Sequence, residues 1–293
     1  MDTEKENSEK RFRDVIIVDI QKLENIKNKI SKDGVFKFYV ISDFDRTLTK
    51  LFINGERVHS IISVLRNSDY LIPEYNEKAK ALFNQYHPIE INPKILLKEK
   101  KKLMEEWWKR HFEILIKFGL NKKHIEKILN SGKIKLRERA LEFFNLLSQN
   151  QIPLLIISSS GLGSEAISMF LKKEGKLYPN IYIVSNCLEW DEKENFIGVK
   201  DPIIHSINKD GSLIRKLPFF KVIKNRRNAL LLGDNIEDCQ MINGLNYKNV
   251  IKIGFLNEEI GENLNAYKNN FDILILDDGE MNYVNDLLKE IIF

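Results

Sequence analysis

Short apolar runs and helix-type patterns alternate along most of the chain. The runs hold five to seven residues and are rich in Val, Ile and Leu, which is typical of strands buried on both faces of a sheet. Six such runs occur: FKFYVIS (36–42), IPLLIIS (152–158), IYIVS (181–185), ALLLG (229–233), NVIKIGF (249–255) and DILIL (272–276). Helical patterns separate several of them, at residues 137–149, 164–173 and 235–244. This alternation predicts an α/β fold with a parallel sheet covered on both faces.

Two further patterns lie outside this alternation of strands and helices. Residues 8–30 predict a helix that ends at Asp33-Gly34, although the β-branched run VIIV (15–18) disfavours a helix in its first half. The apolar side of this helix holds Phe12, Ile16, Ile20, Leu23, Ile26 and Ile30. Residues 195–208 alternate as strands do and predict a β-hairpin inserted in the scheme.

The segment from residue 55 to residue 135, called the cap segment below, contains no convincing strand. Helices are predicted at 74–86, 94–118 and 122–130. Pro73 and Pro93 lie at two of the helix starts, and Gly119 and Gly132 lie at helix ends. The predicted domains are therefore a core formed by residues 1–54 and 136–293, and an inserted all-helical cap formed by residues 55–135.

Composition excludes several classes of protein. Hydrophobic residues make up 43% of the 293 residues and charged residues 30%, which is a globular composition. No apolar stretch is long enough to cross a bilayer, and the polar N-terminus lacks the apolar part of a secretory signal. Cys187 and Cys239 are the two cysteines, and the five histidines form no HExxH pair, so a disulfide scaffold and a Cys- or His-based zinc site are excluded. We expect a cytoplasmic protein that does not bind membranes.

Charge is distributed unevenly. The whole chain carries a formal net charge of +4, but residues 92–140 contain 15 Lys or Arg and 6 Asp or Glu. These helices either present a solvated face with scattered lysines or form a positive lid that attracts anionic substrates. No nucleic-acid-binding motif occurs in the segment, so we expect no nucleic-acid partner.

The first candidate for chemistry is the pair Asp43 and Asp45, in the sequence DFDRT directly after FKFYVIS. Ligands bind beyond the carboxyl ends of strands in open α/β sheets, and two carboxylates there can share a divalent cation or act as nucleophile and acid/base. An ordinary Asp-rich turn is the plain alternative. An EF-hand loop is disfavoured because Leu48 and Asn54 stand where that loop needs Gly and Glu.

Two later strand ends add hydroxyl groups and carboxylates. Ser158, Ser159, Ser160 and Gly161 follow IPLLIIS and could cradle a phosphate with their hydroxyl and backbone N–H groups. The alternatives for this segment are a helix-capping turn and a dinucleotide-binding loop, since residues 161–166 fit GxGxxA.

GDNIED (233–238) follows ALLL and would complete a magnesium site through Asp234, unless Asp234 merely caps the next helix. Asp238 is a candidate for bracing that loop. Lys209 in INKDG is the least specific candidate, because a lysine before Asp-Gly is usually part of a turn.

Taken together, these motifs resemble the haloacid-dehalogenase (HAD) phosphatases, whose pattern is an aspartate pair, a Ser or Thr, a Lys and later acids. Residues 36–257 resemble one family more closely, the cytosolic 5′-nucleotidase III (pyrimidine 5′-nucleotidase) family. The resembling segments are SDFDRTLT, ALFNQYHPIEINP with MEEWW behind it, IPLLIISSSGLG, PNIYIVSN, IIHSINKDG and LLLGDNIEDCQM. The resemblance implies a Rossmann-like HAD core with a helical cap.

The resemblance also implies roles for single residues. Asp43 would be the nucleophile and Asp45 the acid/base. Asp43 and Asp234 would bind Mg²⁺ by their side chains, and Asp45 would bind it by its backbone carbonyl.

Further roles concern the substrate. Ser159, its neighbour Ser160, and Lys209 would contact the phosphate, and Glu90 in the cap would bind the nucleotide base. The Ser-rich loop is one residue longer than the family pattern, so Ser158 competes with Ser159 for the phosphate. His111 stands near the position of a family Ser at the base pocket, which leaves the base preference open.

The resulting expectation is a monomeric, magnesium-dependent 5′-nucleotidase. It would hydrolyse nucleoside 5′-monophosphates, in particular the pyrimidine nucleotides CMP and UMP, through an aspartyl phosphate. Two alternatives remain at this point: another HAD phosphatase with a different phosphomonoester substrate, and a non-catalytic HAD-like binding protein.

Overall fold

A seven-stranded sheet forms the centre of the protein. The computed structural model describes residues 14–58, 60–92, 94–215, 217 and 219–293. The strands of the central sheet are β1 (Val15–Ile17), β2 (Phe38–Ser42), β5 (Leu154–Ile157), β6 (Ile181–Val184), β9 (Asn228–Gly233), β10 (Asn249–Leu256) and β11 (Ile273–Leu276). Their order is β1-β11-β10-β9-β2-β5-β6, and every neighbouring pair is parallel except β1 with β11. All six apolar runs are strands of this sheet, as predicted.

The central strands are buried because helices cover both faces of the sheet. Every residue of β2, β5 and β9 is buried, and Ile41 of β2 lies opposite Leu155 of β5 and Leu231 of β9. The helices are α1 (Ile20–Asp33), α2 (Ile61–Arg66), α3 (Pro73–Ile91), α4 (Leu97–Lys117), α5 (Lys122–Asn130), α6 (Ala140–Gln149), α7 (Gly163–Lys173), α8 (Gly211–Arg215), α9 (Phe220–Ile223), α10 (Ile260–Lys268) and α11 (Asn282–Ile292). Residues 236–242, predicted within a helix at 235–244, form a 3₁₀ helix (Ile236–Ile242).

The prediction of one helix over residues 8–30 was wrong in its first half. Val15–Ile17 form β1, which pairs antiparallel with β11, and α1 begins only at Ile20, where the Asp19 carboxylate accepts a hydrogen bond from the backbone N–H of Lys22. β-branched residues favour the strand because their side chains pack well on a pleated surface. Phe12 and the other residues of this prediction before residue 14 lie outside the described part of the chain.

The cap segment contains α2, α3, α4 and α5. Pro73 is the first residue of α3, as predicted, and Gly119 and Gly132 have the positive φ angles that suit helix ends. Pro93 lies outside the described residues, and α4 begins later than predicted, at Leu97. The segment also holds a short strand, β4 (Glu56–Arg57), which pairs with β3 (Phe52–Ile53).

A hairpin extends from the core, but not where it was predicted. Its strands are β7 (Cys187–Trp190) and β8 (Phe196–Lys200), and residues 201–208 form a loop instead of a strand. Within the described part of the chain, no helix is both long and apolar enough to span a membrane.

Candidate active site

Three neighbouring strands end at one edge of the central sheet and carry the predicted motifs. Asp43 follows β2, Ser158 follows β5, and Asp234 follows β9, and β2 lies between the other two strands. The backbone N–H of Asp43 donates to the carbonyl of Leu232, 3.0 Å away, which fixes the start of the aspartate loop against β9. Carboxylate oxygens of Asp43, Asp234 and Asp238 lie within 4.8 Å of one another, and all three residues are buried. The sheet topology therefore assembles one acidic cluster from distant parts of the sequence.

Lys209 lies between two of these carboxylates. Its Nζ donates to Oδ1 of Asp43 at 2.7 Å and to Oδ1 of Asp238 at 2.6 Å. Burial lowers the pKa of Lys209, but the Asp238 and Asp43 carboxylates outweigh this effect and raise that pKa above its ordinary value. The ammonium group is therefore a permanent positive charge at the cluster, and the structure brings Lys209 together with Asp43, as the two candidate site residues were expected to be.

Both carboxylate oxygens of Asp238 accept hydrogen bonds from other groups of the protein. Besides the Lys209 bond to Oδ1, its Oδ2 accepts from the backbone N–H groups of Asp234 and Asn235, at 3.2 and 3.1 Å. These bonds brace the loop after β9, which is the role considered for Asp238 from the sequence. Asp43 and Asp234 remain as the carboxylates with more freedom to bind a cation.

Asp45 lies beside the cluster rather than in it. Its Oδ1 accepts a hydrogen bond from the backbone N–H of Ile61, 3.2 Å away, at the first residue of α2. Burial raises the pKa of Asp45 to about 7. Such a carboxyl group can both release and accept a proton near neutral pH, which is what acid/base catalysis requires. Among the described residues, the Asp45 carbonyl accepts no backbone hydrogen bond, so it is available to a ligand.

A cation that the sequence did not single out contacts Asp234. The guanidinium Nη2 of Arg46 lies 2.9 Å from Oδ2 of Asp234. Burial raises the pKa of Asp234, and the Arg46 charge opposes that rise. In the same way, burial raises the pKa of Asp43 and the Lys209 ammonium opposes it. Both carboxylates therefore depend on nearby cations for their negative charge.

A second arginine, fully buried, holds the aspartate loop in place. Arg137 donates from Nε to the carbonyl of Thr47 at 2.8 Å and from Nη2 to the carbonyl of Arg46. Its Nη1 lies 3.1 Å from Oδ1 of Asp278, whose carboxylate also accepts the backbone N–H groups of Leu51 and Phe52. The loop that carries Asp45 is thus fixed where the chain leaves the core for the cap segment.

The Ser-rich turn leaves one hydroxyl group free. Ser158 Oγ accepts from the backbone N–H of Ser160 at 3.1 Å, and Ser160 Oγ accepts from that of Leu162 at 3.4 Å. Ser159 is half-buried, and its hydroxyl forms no hydrogen bond to the described residues. The Ser158 and Ser160 hydroxyl oxygens thus accept bonds within the turn but can still donate their protons, and the Ser159 hydroxyl is the one without a bond inside the turn.

Glu90 reaches the site from the cap segment. It lies in the last turn of α3, which extends beyond the predicted end at residue 86 because Pro88 is accommodated inside the helix. One Glu90 carboxylate oxygen accepts a hydrogen bond from the Ser206 hydroxyl, in the loop that leads to Lys209. The structure thus brings Glu90 into contact with the loop that leads to Lys209.

His111 is buried in the cap segment, in contact with Trp108. The His111 ring packs edge-on against Trp108, with ring centroids 5.6 Å apart, and only 3% of the residue is exposed. Burial, followed by the charge of Arg66, lowers the pKa of His111 to about 3, so its imidazole is neutral at physiological pH. Its Nε2 has no hydrogen-bond partner among the described residues.

The donor set at the cluster fits a hard divalent cation. Asp43, Asp234 and the free carbonyl of Asp45 offer only oxygen atoms, and the nearest further groups are carboxylate and ammonium rather than His or Cys. Mg²⁺ prefers oxygen ligands and retains several waters. The site can therefore combine a carboxylate nucleophile, a cation and a carboxyl group with a pKa near 7. These are the groups that phosphoryl transfer requires.

Comparisons with known proteins agree with this chemistry. The family model described as "Pyrimidine 5'-nucleotidase (UMPH-1)" matches residues 46–292. The chain is 35% identical over 272 residues to the Xenopus laevis protein named 7-methylguanosine phosphate-specific 5′-nucleotidase A, an alignment that covers 92% of this chain and 93% of that protein.

Solved structures show the same architecture. The crystal structure of cytosolic 5′-nucleotidase IIIB bound to cytidine superimposes with a TM-score of 0.85 at 28% identity, over 95% of this chain and 94% of that chain. A HAD family hydrolase from Salmonella enterica serovar Typhi superimposes with a TM-score of 0.56 at 13% identity, over 86% and 72% of the two chains. This second likeness concerns the fold alone, and it agrees with the HAD-like core that the sequence predicted.

Proposed function

The chain belongs to the pyrimidine 5′-nucleotidase (UMPH-1) family of phosphomonoester hydrolases, and from this premise we propose that it is a magnesium-dependent 5′-nucleotidase that hydrolyses pyrimidine nucleoside 5′-monophosphates. The observation that carries the proposal is the convergence of Asp43, Lys209 and Asp234 with the free hydroxyl of Ser159 at one sheet edge. A protein that only binds a ligand has no need of this combination.

The reaction begins with the attack of an Asp43 carboxylate oxygen on phosphorus. The bond between phosphorus and the 5′-oxygen breaks, Asp45 gives its proton to that oxygen, and the phosphoryl group stays on Asp43. Asp45 then takes a proton from a water molecule whose oxygen attacks phosphorus. The bond between phosphorus and the Asp43 oxygen breaks, which restores the Asp43 carboxylate and releases inorganic phosphate. Lys209 and the Ser159 hydroxyl hold the phosphate oxygens during both steps.

Mg²⁺ would be held by the side chains of Asp43 and Asp234 and by the backbone carbonyl of Asp45. When bound, it supplies positive charge that neutralises the transferring phosphoryl group. Asp238 keeps the loop after β9 in place through its bonds to Asp234 and Asn235.

The cap segment, residues 55–135, covers the site and binds the nucleoside. Three contacts between the cap segment and the core support this: Ile61 on Asp45, Glu90 on Ser206, and Lys101 on Asp210 at 3.8 Å. Glu90 exchanges its bond with Ser206 for an exocyclic amino group of the base, such as that of cytosine. Closure of the cap over the nucleotide excludes water from the reaction.

A second substrate has specific support. The Xenopus relative is named for 7-methylguanosine phosphate. The 7-methylguanine ring has an exocyclic amino group and a positive charge, and the Glu90 carboxylate suits both features. 7-Methylguanosine 5′-monophosphate is therefore the alternative to CMP.

Release of phosphate from a panel of nucleotides tests the proposal. Purified protein should hydrolyse CMP or 7-methylguanosine 5′-monophosphate in Mg²⁺, and should lose this activity in EDTA and regain it when Mg²⁺ is added. Asp234→Ala should raise the Mg²⁺ requirement or abolish the activity. Full turnover in excess chelator would remove the metal from the proposal. The absence of hydrolysis of any nucleotide would favour a different phosphomonoester.

We infer that the protein is a monomer that acts on free nucleotides in the cytosol, in line with the solved relative named cytosolic 5′-nucleotidase IIIB.

A further inference from the structure

Arg46 is the second cation of the acidic cluster. Asp43, Asp234 and Asp238 bring three carboxylates together, and two protein cations contact them: Lys209 bonds to Asp43 and Asp238, while Arg46 pairs with Asp234 at 2.9 Å. Arg46 thus occupies an oxygen of a carboxylate that a divalent cation would use. The proposed reaction does not by itself require an arginine at this position.

Hydrogen bonds hold the backbone of Arg46, whereas its side chain is partly exposed and its buried Nε has no hydrogen-bond partner among the described residues. The residue has a φ of 63°, and its N–H donates to Thr49 Oγ1 at 2.9 Å. Its carbonyl accepts from Arg137 and from Asn257 Nδ2, at 3.0 Å for the latter. The Arg46 side chain, by contrast, is 31% exposed, against 5% for Lys209. The guanidinium group can therefore leave Asp234 while the loop keeps its shape.

The charges of these groups decide what Arg46 does to a bound cation. Formal charges of −1 on each of the three aspartates and +1 on each of Lys209 and Arg46 add up to −1, and a divalent cation would change this sum to +1. A phosphate dianion in the same site brings the charge back to −1. Without the Arg46 charge, the net charge is −2 for the empty site, 0 with the divalent cation, and −2 with the cation and the phosphate dianion. Asp45 adds at most one negative charge to every state, so it does not change the comparison.

We propose that Arg46 couples the binding of the divalent cation to the binding of phosphate. Its positive charge disfavours binding of the metal alone and favours binding of the metal together with a phosphate dianion. Each ligand therefore tightens the binding of the other. The side chain leaves Asp234 when the metal binds and turns toward the phosphate oxygens, to which guanidinium groups bind well. This inference rests on the proposed function, because it assumes that the cluster holds a divalent cation.

Binding of Mn²⁺, measured by electron paramagnetic resonance, tests the coupling without turnover. Mn²⁺ replaces Mg²⁺ at oxygen-ligand sites, and the free ion is counted directly. The titration is done on the whole protein with and without inorganic phosphate. The variants are Arg46→Gln, which removes the charge, and Arg46→Lys, which keeps it.

Arg139 offers a matched control. It is also an arginine at positive φ, 66°, but its side chain is 57% exposed and pairs with Glu142, away from the cluster. Arg139→Gln therefore removes the same charge at a similar φ angle. Its Mn²⁺ affinity should equal that of the unaltered protein, with and without phosphate.

The unaltered protein should bind Mn²⁺ about tenfold more tightly in phosphate, a value within the usual range for coupled sites. Arg46→Gln should bind Mn²⁺ alone more tightly, and phosphate should then tighten Mn²⁺ binding less than it does in the unaltered protein, because only the direct attraction between the two ligands remains. Arg46→Lys should keep most of the coupling. Equal Mn²⁺ affinity and equal coupling in Arg46→Gln and the unaltered protein would overturn the inference and leave the proposed function intact. An unaltered protein that binds no Mn²⁺ would overturn both.

Discussion

The indole ring of Trp108 lies directly against Gly161 of the Ser-rich turn. A Cβ atom at Gly161 would lie 2.6 Å from Cζ3 of Trp108 and 3.1 Å from Cγ1 of Ile62, both in the cap segment. Gly161 has no positive φ angle, so an alanine there is excluded by the cap and not by the backbone. The absence of a side chain at this position is what allows the cap segment to pack against the Ser-rich turn.

Gly161→Ala should therefore hold the cap away from the turn. We expect kcat/KM for a nucleotide to fall about ten- to hundredfold, since displacements of about 1 Å have effects of this size. Gly261→Ala is the control, because nothing lies within 4 Å of a Cβ there. Trp108→Leu combined with Gly161→Ala should recover part of the loss. An unchanged kcat/KM in Gly161→Ala would show that catalysis does not need this contact.

The pKa of Asp45 predicts a pH dependence. Burial raises that pKa to about 7, so the carboxyl group is protonated below pH 7 and can give its proton to the 5′-oxygen. Above pH 7 the proton is lost, and kcat/KM for CMP should fall by up to about tenfold per pH unit. p-Nitrophenyl phosphate has a leaving group that needs little protonation, so its kcat/KM should fall much less over the same range. The same fall for both substrates would contradict the acid role of Asp45.

Glu90 should affect nucleotides and not simple esters. A charged hydrogen bond to the base is worth roughly 1.5–3 kcal/mol, so Glu90→Ala should lower kcat/KM for CMP by about ten- to a hundredfold. Hydrolysis of p-nitrophenyl phosphate, which has no base, should change little. Glu113→Ala, a substitution of an exposed glutamate on α4, serves as the control. Equal losses with both substrates would give Glu90 a structural role through Ser206.

The basic residues between positions 92 and 140 predict a salt dependence. If their excess positive charge attracts nucleotides, kcat/KM should fall as ionic strength rises, while kcat changes little, because charges are screened over about 8–10 Å near physiological salt. Steady-state kinetics at several NaCl concentrations measures both constants. A flat profile would identify these residues as a solvated helix face.

The parts of the fold that depend on local patterns could be predicted from the sequence. The six apolar runs supply six of the seven strands of the sheet, and Asp43 and Asp234 could be located because each follows such a run directly. The family resemblance was also confirmed by the match over residues 46–292. The catalytic roles of Asp43, Asp45, Ser159 and Lys209 remain predictions.

The parts that depend on tertiary contacts could not be predicted. Arg137 lies 90 residues from Thr47, whose carbonyl it binds, and no local pattern marks that contact. Arg46 stands within the aspartate motif itself, so its charge was visible, but its partner Asp234 follows a strand far along the chain. The strand Val15–Ile17 was missed for a similar reason, since it forms only against β11 at the other end of the sequence.

The central claim is that Asp43 becomes phosphorylated during turnover. Enzyme mixed with CMP and Mg²⁺ and quenched rapidly in acid should gain the mass of one phosphoryl group, located by peptide mass spectrometry on the segment that contains Asp43. Asp43→Asn should keep its fold by circular dichroism, carry no phosphoryl group, and lose at least about a thousandfold in kcat. Near-normal turnover in Asp43→Asn, or a phosphoryl group on another residue, would contradict the account.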